Sequence, residues 1–351
     1  MTANDPVVDR FTRPLGVLRL SLTGRCNLAC PYCCPDGDDP EGLLDLAAQL
    51  RLIRAACQLG VRTLRLTGGE PLLSPRLLPL LEAVAAGRAT AGDPLQALAS
   101  VALTTNGVLL TAERAQALRR GGVDRITVSL DGADGASVAR MTGLVGGEAA
   151  GARVLAQVLA GLEAARLAGF SPQSGALKLN AVIQRGANDA QLLPLAALAR
   201  ERGLELRLIE FMDVGNRNGW SLDQVVPAAD MVNRIHQRWP LEVLGRDAHG
   251  TSCRWRYQDG HGCIGVIASI TEPFCGDCNR LRVTADGQAF TCLFASQGVD
   301  LRESLREGVA DATLRATLRG LWSARDDRFS EERNSRVEGL APHAEMAYLG
   351  G

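Results

Sequence analysis

The sequence predicts an α/β protein built around a parallel sheet. From residue 17 to 210 one unit repeats: a short β-rich run, a turn with Gly, Pro or Asn, and an apolar pattern at helical spacing. Strands that alternate with helices pair in parallel, because each helix returns the chain to the starting edge of the sheet. We therefore expect an open doubly wound sheet or a barrel, either complete or incomplete.

Six strands and five helices follow from this pattern. The strands are predicted at 17–22, 62–67, 100–105, 125–130, 176–183 and 205–210. The helices are predicted near 42–59, 75–86, 111–120, 151–168 and 189–201. Gly and Ala are frequent in 87–97 and 143–151, which we expect to be flexible excursions without chemistry. After residue 211 the rhythm changes to a loop, a short helix and shorter strand-like runs, so we divide the chain into 1–210 and 211–351.

Charge and hydropathy exclude several classes of partner. The chain has 351 residues, with 38 basic and 39 acidic side chains and a net charge of -1. Without an excess of positive charge, no global field attracts nucleic acid or an anionic membrane. The N-terminal residues lack an apolar signal segment, and no later apolar run is long enough to span a bilayer. We expect a cytoplasmic protein with no nucleic-acid or membrane partner.

Six of the ten cysteines form two spaced triplets. A reducing compartment disfavours disulfides and favours metal binding by clustered thiols. Structural zinc and electron-transfer clusters usually take four protein ligands, whereas three thiolates leave one iron of a [4Fe–4S] cluster open to another ligand. Open coordination is typical of reactive sites. The two triplets are Cys26, Cys30 and Cys33, and Cys275, Cys278 and Cys292.

A single zinc ion offers an alternative interpretation of the same cysteines. It would bridge the pair Cys30 and Cys33 with a second pair in the C-terminal region, and would leave one cysteine of each triplet unused. Cys34 follows the first triplet directly, and adjacent cysteines rarely bind the same metal, so we place it outside the ligand set. The remaining cysteines are predicted to be small buried hydrophobes: Cys57, Cys253 and Cys263.

Alternation along the strands brings positive side chains to one face of the sheet. Residues two apart share a face, so Arg19 and Arg65 lie opposite their leucine neighbours. Buried cations either pair with acids, for which Glu205, Glu210 and Asp131 are candidates, or bind an anion. Forked guanidiniums suit a polyphosphate, which would be held as a substrate because no Walker motif is present. The predicted cations are Arg19, Arg65, Lys178, Arg207, Arg280 and Arg282.

The first triplet resembles the hallmark of the radical S-adenosylmethionine (SAM) enzymes. That hallmark is CxxxCxxC with an aromatic residue before the last cysteine, and Tyr32 stands at that place. The segment GGEP at 68–71 ends the next strand, as it does in that family. The resemblance implies that SAM chelates the open iron, and that the backbone of the GGEP loop holds its ammonium group.

Nearly the whole chain resembles the GTP 3′,8-cyclase family of molybdenum cofactor biosynthesis. The matching segments include LRLSLTGRCNLACPYC, RLTGGEPLL, LTTNG, LRLIEFMDVGNRNGW, FCGDCNRLRVTADGQAFTCLF, RDDRFSEER and the closing GG. The resemblance implies an incomplete (βα)6 barrel whose mouth is capped by a C-terminal α+β region. It also implies a lyase that converts GTP to 3′,8-cyclo-7,8-dihydro-GTP.

The resemblance assigns a role to each site residue. The cluster on Cys26, Cys30 and Cys33 would reduce SAM to a 5′-deoxyadenosyl radical, which takes the C3′ hydrogen of GTP. A second [4Fe–4S] cluster on Cys275, Cys278 and Cys292 would bind the guanine edge, and Gly350 and Gly351 would reach into the active site. Residues expected on the SAM side are Tyr32, Gly68, Gly69, Glu70, Ser129 and Met212. Residues expected to bind GTP are Arg19, Arg65, Thr104, Lys178, Arg207, Arg280 and Arg282.

Partners also follow from the resemblance. It implies a homodimer, an external electron donor and a downstream cyclic pyranopterin monophosphate synthase that takes the product. Two rival interpretations stay open at this point. A radical SAM peptide maturase with an auxiliary cluster would carry more C-terminal cysteines, and a non-catalytic iron–sulfur or zinc protein would have closed four-ligand sites and bind no SAM.

Overall fold

The six predicted strands are confirmed as the centre of the sheet. The structure is a computed structural model that describes residues 6–333 and 343–350. Each central strand pairs in parallel with the next one along the chain. These strands are β1 (Val17–Ser21), β2 (Thr63–Thr67), β3 (Ser100–Thr105), β4 (Arg125–Ser129), β5 (Leu177–Ile183) and β6 (Glu205–Glu210).

Helices follow the strands, and three of them begin at residues whose side chains cap them. Asp45, Thr111 and Asp134 each accept a hydrogen bond from a backbone N–H of the first helical turn, which satisfies a donor that the helix itself leaves unpaired. The helices along the sheet are α1 (Leu46–Gln58), α2 (Leu77–Ala89), α3 (Ala112–Arg120), α4 (Gly135–Thr142), α5 (Gly147–Leu167) and α6 (Leu192–Glu201). Those in the C-terminal region are α7 (Ala228–Arg238), α8 (Arg302–Leu305), α9 (Asp311–Ala324) and α10 (Phe329–Glu332).

The expectation that 87–97 and 143–151 are flexible excursions was wrong for much of both segments. Helix α2 continues to Ala89, and residues Pro94–Ala97 form a 3-10 turn that buries Leu95 completely. Helix α5 begins at Gly147, and a Cβ at Gly151 would lie 1.9 Å from the carbonyl oxygen of Gly135 in α4. Glycine is therefore needed there for close helix packing, and the abundance of Gly does not mark a loop.

The sheet extends beyond the six central strands at both edges. Strand β9 (Cys263–Ile267) adds in parallel to β6, and β10 (Arg280–Val283) adds in parallel to β1. Antiparallel strands continue each edge and leave the sheet open: β7 (Leu241–Arg246) and β8 (Cys253–Tyr257) beyond β9, and β11 (Gln288–Phe290) and β12 (Val299–Asp300) beyond β10. The C-terminal region thus flanks the parallel strands on both sides, and the division at residue 210 stays a prediction.

The two faces of the parallel strands have opposite character. Leucines such as Leu20, Leu66 and Leu206 have no exposed surface and belong to the hydrophobic core, while the arginines between them face the other side. Burial of each such leucine contributes about 1.5–3 kcal/mol. No helix among residues 6–333 and 343–350 is both long and apolar enough to cross a membrane.

Candidate active site

A cavity of about 1220 Å³ lies on the arginine-bearing face of the sheet. Both cysteine triplets line it, although more than 240 residues separate them in the chain. Five of the six predicted cations, Thr104 and Gly350 line it as well. The lining residues predicted for SAM are Tyr32, Gly68, Gly69, Ser129 and Met212.

The first triplet lies on the loop between β1 and α1. The carbonyl oxygen of Cys30 accepts backbone hydrogen bonds from Cys33 and Cys34, at 3.0 and 2.9 Å. This tight turn keeps Cys30 and Cys33 close together, and both line the cavity. Burial, and then the neighbouring thiols and Asp131, raise the pKa of the Cys33 thiol to about 12. Burial likewise raises the pKa of Cys26 and of Cys30. Three thiols that are costly to ionise alone fit a cationic metal centre, which favours the thiolate.

Cys34 lies outside the cavity lining. Its Sγ donates to the carbonyl oxygen of Pro31 at 3.0 Å, and its φ of 50° is in the left-handed region. Cys57 is buried, as predicted. Cys253 and Cys263 are only partly buried, so the prediction that they are buried hydrophobes was wrong. They lie on β8 and β9, in the part of the sheet that extends beyond β6 towards one edge.

The GGEP loop is bonded to the first cysteine loop. Gly69 and Glu70 donate backbone hydrogen bonds to the carbonyl oxygens of Thr23 and Arg25, each at 2.8 Å. A Cβ at Gly69 would lie 2.3 Å from the Arg25 oxygen, so the approach needs glycine. The carboxylate of Glu70 has no exposed surface and does not line the cavity. It accepts from Thr105 Oγ1 at 2.7 Å and from the Asn106 N–H at 2.8 Å, which ties the loop to the end of β3.

Asn106 and Asp131 belong to this site, although no such role was predicted for them from the sequence. The Asn106 side-chain amide lies 3.8 Å from Sγ of Cys26. Asp131, considered above as an ion-pair partner, accepts instead from the Tyr32 hydroxyl at 2.7 Å and from the Val182 N–H at 2.7 Å. Burial raises the pKa of Asp131 to about 6. Position directly after a strand was the available signal, because such loops meet at one edge of a parallel sheet.

Strand register places three arginines in one row. Arg19 on β1 is the backbone partner of Arg65 on β2 and of Arg282 on β10. Burial and the neighbouring cations lower the pKa of Arg65 to about 9 and that of Arg282 to about 10. Arg65 donates to Oγ1 of Thr104 at 3.0 Å. Such a row is costly alone and is stabilised by a bound anion.

Lys178 and Arg207 differ from that row because both pair with Glu205. The distances to the carboxylate oxygens are 2.9 Å from Nζ of Lys178 and 2.7 Å from Nε of Arg207. Arg207 still lines the cavity, whereas Lys178 does not. The structure therefore brings Arg207 to the predicted site and places Lys178 in an internal salt bridge, the alternative that the sequence left open.

The second triplet borders the other part of the cavity. Cys275–Asp277 form a 3-10 turn that Cys278 closes by donating to the Cys275 carbonyl at 3.2 Å. Burial alone would raise the pKa of Cys278, but Arg280, Arg325 and hydrogen bonds outweigh it and lower the pKa to about 7. Burial raises the pKa of Cys292 to about 12. Arg13 and Arg325, for which the sequence predicted no role, donate hydrogen bonds to the carbonyl oxygens of Cys275 and Cys278.

The C-terminal tail enters the same cavity. The Gly350 carbonyl accepts a hydrogen bond from Arg19 at 2.9 Å, and Met346 packs against Val214 and Phe294. The Tyr348 hydroxyl donates to the carboxylate of Asp286, with oxygen distances of 2.8 and 3.0 Å. Gly351 lies outside the described residues.

Polar atoms at the cavity fit a polar ligand. Within the part of the chain that the structure describes, Oγ1 of Thr67, Oδ1 of Asn180 and Nη1 of Arg282 are buried without a hydrogen-bond partner, and all three residues line the cavity. Buried polar atoms normally have partners, so these atoms are suited to a ligand's donors and acceptors. Among those same residues, no three His, Cys, Asp or Glu side chains converge on one metal-ion position.

These features define a radical SAM fold with a second cysteine-bearing region. The family description of the Radical SAM superfamily matches residues 20–199, and that of Molybdenum Cofactor Synthesis C matches residues 204–331. SuiB of Streptococcus suis bound to S-adenosylmethionine superposes with a TM-score of 0.57 at 15% identity, over 93% of this chain and 69% of that one. At this identity the similarity concerns the fold alone. Superfamily membership supports SAM and an iron–sulfur cluster as cofactors.

Full-length relatives specify the family further. The GTP 3′,8-cyclase of Synechococcus sp. (strain WH7803) is 68% identical over 100% of both chains. The GTP 3′,8-cyclase of Xanthomonas axonopodis pv. citri (strain 306) is 46% identical, again over 100% of both. The chain belongs to the GTP 3′,8-cyclase family.

Proposed function

We propose that this chain converts GTP to 3′,8-cyclo-7,8-dihydro-GTP in a SAM-dependent radical reaction, as a lyase. One observation carries the proposal: both cysteine triplets line a single cavity, and a row of three arginines lies beside them. A triphosphate suits the arginines, and each triplet suits a cluster with one open iron. Family membership supports GTP as the substrate.

The part of the cavity that is lined by the first cysteine triplet, which we call the SAM wall, would hold SAM and its cluster. Cys26, Cys30 and Cys33 supply the thiolates, and the GGEP loop supplies backbone groups next to them. When bound, a reduced [4Fe–4S] cluster and SAM supply the 5′-deoxyadenosyl radical that takes the C3′ hydrogen of GTP. The hydrogen bond from Tyr32 to Asp131 holds the cysteine loop against the end of β4. Proposed for SAM are Tyr32, Gly68, Gly69, Ser129 and Met212, with Glu70 acting by positioning the loop.

The part of the cavity that is lined by the second cysteine triplet and the arginine row would hold GTP. Cys275, Cys278 and Cys292 are proposed as ligands of a second [4Fe–4S] cluster next to the guanine base. Buried guanidiniums bind phosphate oxygens through charge-assisted bonds, and the bound phosphates would in turn favour their charged form. We propose Arg19, Arg65, Thr104, Arg207, Arg280 and Arg282 as GTP-binding residues, and Lys178 as an indirect contributor through Glu205.

The protein's main contributions to this reaction would be to position the reactants and to exclude water. Two binding walls on one rigid sheet fix the distance between the radical source and the ribose. Met346 and Gly350 of the tail line the cavity, and Gly350 and Gly351 are proposed to complete its closure over the substrate. A closed chamber protects a carbon radical from side reactions.

Further parts of the proposal concern organisation and partners. We propose a catalytic region 1–210 and a C-terminal region 211–351, a homodimer and a cytoplasmic location. An external electron donor and a downstream cyclic pyranopterin monophosphate synthase are the proposed partners. The alternative of a peptide maturase is not favoured, because the full-length relatives carry the name GTP 3′,8-cyclase.

The direct test is an anaerobic assay of the reconstituted protein with SAM, a reductant and one nucleotide. We expect 5′-deoxyadenosine and a cyclised nucleotide with GTP, and neither above background with ATP. Equal 5′-deoxyadenosine formation with GTP, with ATP and without nucleotide would contradict the proposal.

A further inference from the structure

We propose that Arg13 and Arg325, joined by Asp9, position the second cysteine triplet for its cluster. The inference rests on the proposed function, because it assumes that this triplet binds a cluster. It adds to that function two positioning residues that lie at opposite ends of the chain. We call Asp9, Arg13 and Arg325 the arginine clamp.

Arg13 contacts the first cysteine of the triplet. Its Nη1 donates to the carbonyl oxygen of Cys275 at 2.7 Å and to that of Asp327 at 2.9 Å. Its Nε donates to Asp9 at 2.6 Å, and its backbone N–H donates to the other oxygen of the same carboxylate at 2.9 Å. The guanidinium is thereby fixed in one orientation, with one edge on the acid and the other on the cysteine turn.

Arg325 contacts the second cysteine in the same way. Its Nη1 donates to the carbonyl oxygen of Cys278 at 2.6 Å and lies 3.3 Å from the Asp9 carboxylate. Its Nε donates to Asp327 at 3.1 Å, and its guanidinium lies over the ring of Trp322, 4.7 Å from the centroid. The Trp322 indole donates to the carbonyl oxygen of Arg13 at 3.0 Å, which links the two arginines through a third side chain.

The three residues of the arginine clamp are buried, so that breaking one of their hydrogen bonds would leave a buried charged group without a partner. Arg13, Arg325 and Asp9 are exposed by only 2%, 4% and 5%. A buried charged group needs partners with good geometry, and here each guanidinium donates one hydrogen bond to a carbonyl oxygen of the cysteine turn. The turn therefore cannot move without breaking a buried charge-assisted bond.

The residue type is part of the inference. A guanidinium is a planar fork that reaches several acceptors at once, whereas an ammonium is a point charge. Lysine at position 13 would keep the charge but could not contact Asp9, Cys275 and Asp327 together. Position 325 has the same requirement.

A neighbouring ion pair provides a matched control. Arg10 follows Asp9 and pairs with Asp326, which follows Arg325, at 3.0 Å. Both side chains of this pair are more than 60% exposed. It joins the same two segments of chain as the clamp, and within residues 6–333 and 343–350 no hydrogen bond links its side chains to the cysteine turn. Arg10→Gln therefore tests the loss of a link without the loss of the clamp.

The experiment compares wild type, Arg13→Lys, Arg325→Lys and Arg10→Gln after anaerobic reconstitution. The readouts are iron and sulfide per chain, and electron paramagnetic resonance spectra of the reduced protein alone, with SAM and with GTP. Wild type and Arg10→Gln should bind roughly eight irons for two four-iron clusters. Both lysine variants should lose at least half of the second cluster's signal and its response to GTP. The first cluster should keep its response to SAM in all four proteins.

Two results would overturn the inference. One is that both lysine variants match wild type in iron content and in the response of the spectrum to GTP. The other is that they lose both clusters to the same extent, which would indicate general destabilisation instead of positioning. A wild-type protein with only about four irons would contradict the second cluster itself, and so would count against the proposed function.

Discussion

The carbonyl oxygen of Gly350 lies 2.9 Å from Nη2 of Arg19, inside the cavity and on the first strand of the sheet. Arg19 stands in the middle of the row that Arg65 and Arg282 complete. The penultimate residue of the chain is thus bonded to the centre of the proposed triphosphate site. In the proposed complex with GTP, substrate and tail would meet at the same guanidinium, so we expect the position of the tail to affect GTP binding directly.

Gly350→Ala should lower the rate of GTP-dependent turnover at least about tenfold, which corresponds to an increase of roughly 1.4 kcal/mol in the activation free energy. A Cβ there would lie 2.3 Å from Oγ1 of Thr67, and φ is +77°. Steady-state assays with saturating SAM measure the effect. Gly186 is the control, because its φ is also +77° but nothing lies within 4 Å of its Cβ position. Comparable losses in Gly186→Ala and Gly350→Ala would show that backbone strain, and not the contact in the cavity, is responsible.

Arg65→Gln and Lys178→Gln should separate the direct contacts of GTP from the indirect ones. Arg65 lines the cavity, and its loss removes a charge-assisted bond that contributes about 1.5–3 kcal/mol. We expect the dissociation constant for GTP to rise by roughly 10- to 100-fold in Arg65→Gln and by less than about threefold in Lys178→Gln. Equilibrium binding of GTP to the reconstituted protein measures both values. An equal loss of GTP affinity in the two variants would contradict this distinction and would indicate that Lys178 binds GTP directly.

The different position of Lys178 shows what strand alternation can and cannot predict. Alternation assigns a side chain to a face, and the arginines do lie on the cavity face. It does not give the height of a residue along its strand or its partner on the next one. Lys178 is the second residue of β5, and register places it opposite Glu205, the first residue of β6. An acid that begins the neighbouring strand therefore pairs with it near the edge where the strands begin.

Long-range pairing was the part of the fold that the sequence did not predict. The six central strands are predictable because each is a local β-rich run between helices. Strands β9 and β10 join the sheet at opposite edges, β9 at β6 and β10 at β1, because the C-terminal region passes from one edge to the other. The same passage brings Arg325 beside Arg13, 312 positions away in the sequence. Contacts of that kind leave no local pattern.

Glu205→Gln should destabilise the protein in a pH-dependent way. Burial alone would raise the pKa of Glu205, but Arg207 and Lys178 outweigh it and lower the pKa from 4.5 to about 2. A depressed carboxylate pKa stabilises the fold fully above its unfolded value, and this stabilisation is lost as pH falls towards 2. The difference corresponds to about 3 kcal/mol at pH 7 and to roughly half of that at pH 3.

Urea unfolding of wild type and variant from pH 7 to pH 3 measures this change in the free energy of unfolding. Glu242→Gln serves as the control, since Glu242 and its partner Arg256 are both more than half exposed. A difference between wild type and Glu205→Gln that stays constant over the whole range would contradict the ion-pair explanation.

Cys33→Ser and Cys34→Ser should have opposite outcomes although the residues are adjacent. Cys33 lines the cavity with the other two thiols of its triplet, whereas the Cys34 thiol points to the carbonyl of Pro31. We expect Cys33→Ser to lose the SAM-responsive signal in the electron paramagnetic resonance spectrum and all formation of 5′-deoxyadenosine. Cys34→Ser should retain both within about twofold, because hydroxyl and thiol both donate to a carbonyl. Loss of the cluster in Cys34→Ser would make Cys34 a ligand.

The most direct test of the account follows the hydrogen atom that the radical takes. The reconstituted protein is incubated with SAM, a reductant and GTP that carries deuterium at C3′, and 5′-deoxyadenosine is analysed by mass spectrometry. A cavity that holds the ribose of GTP at the SAM wall predicts one deuterium in the 5′-deoxyadenosine that is formed during turnover. 5′-Deoxyadenosine formed in amounts matching the cyclised product but without deuterium would contradict it.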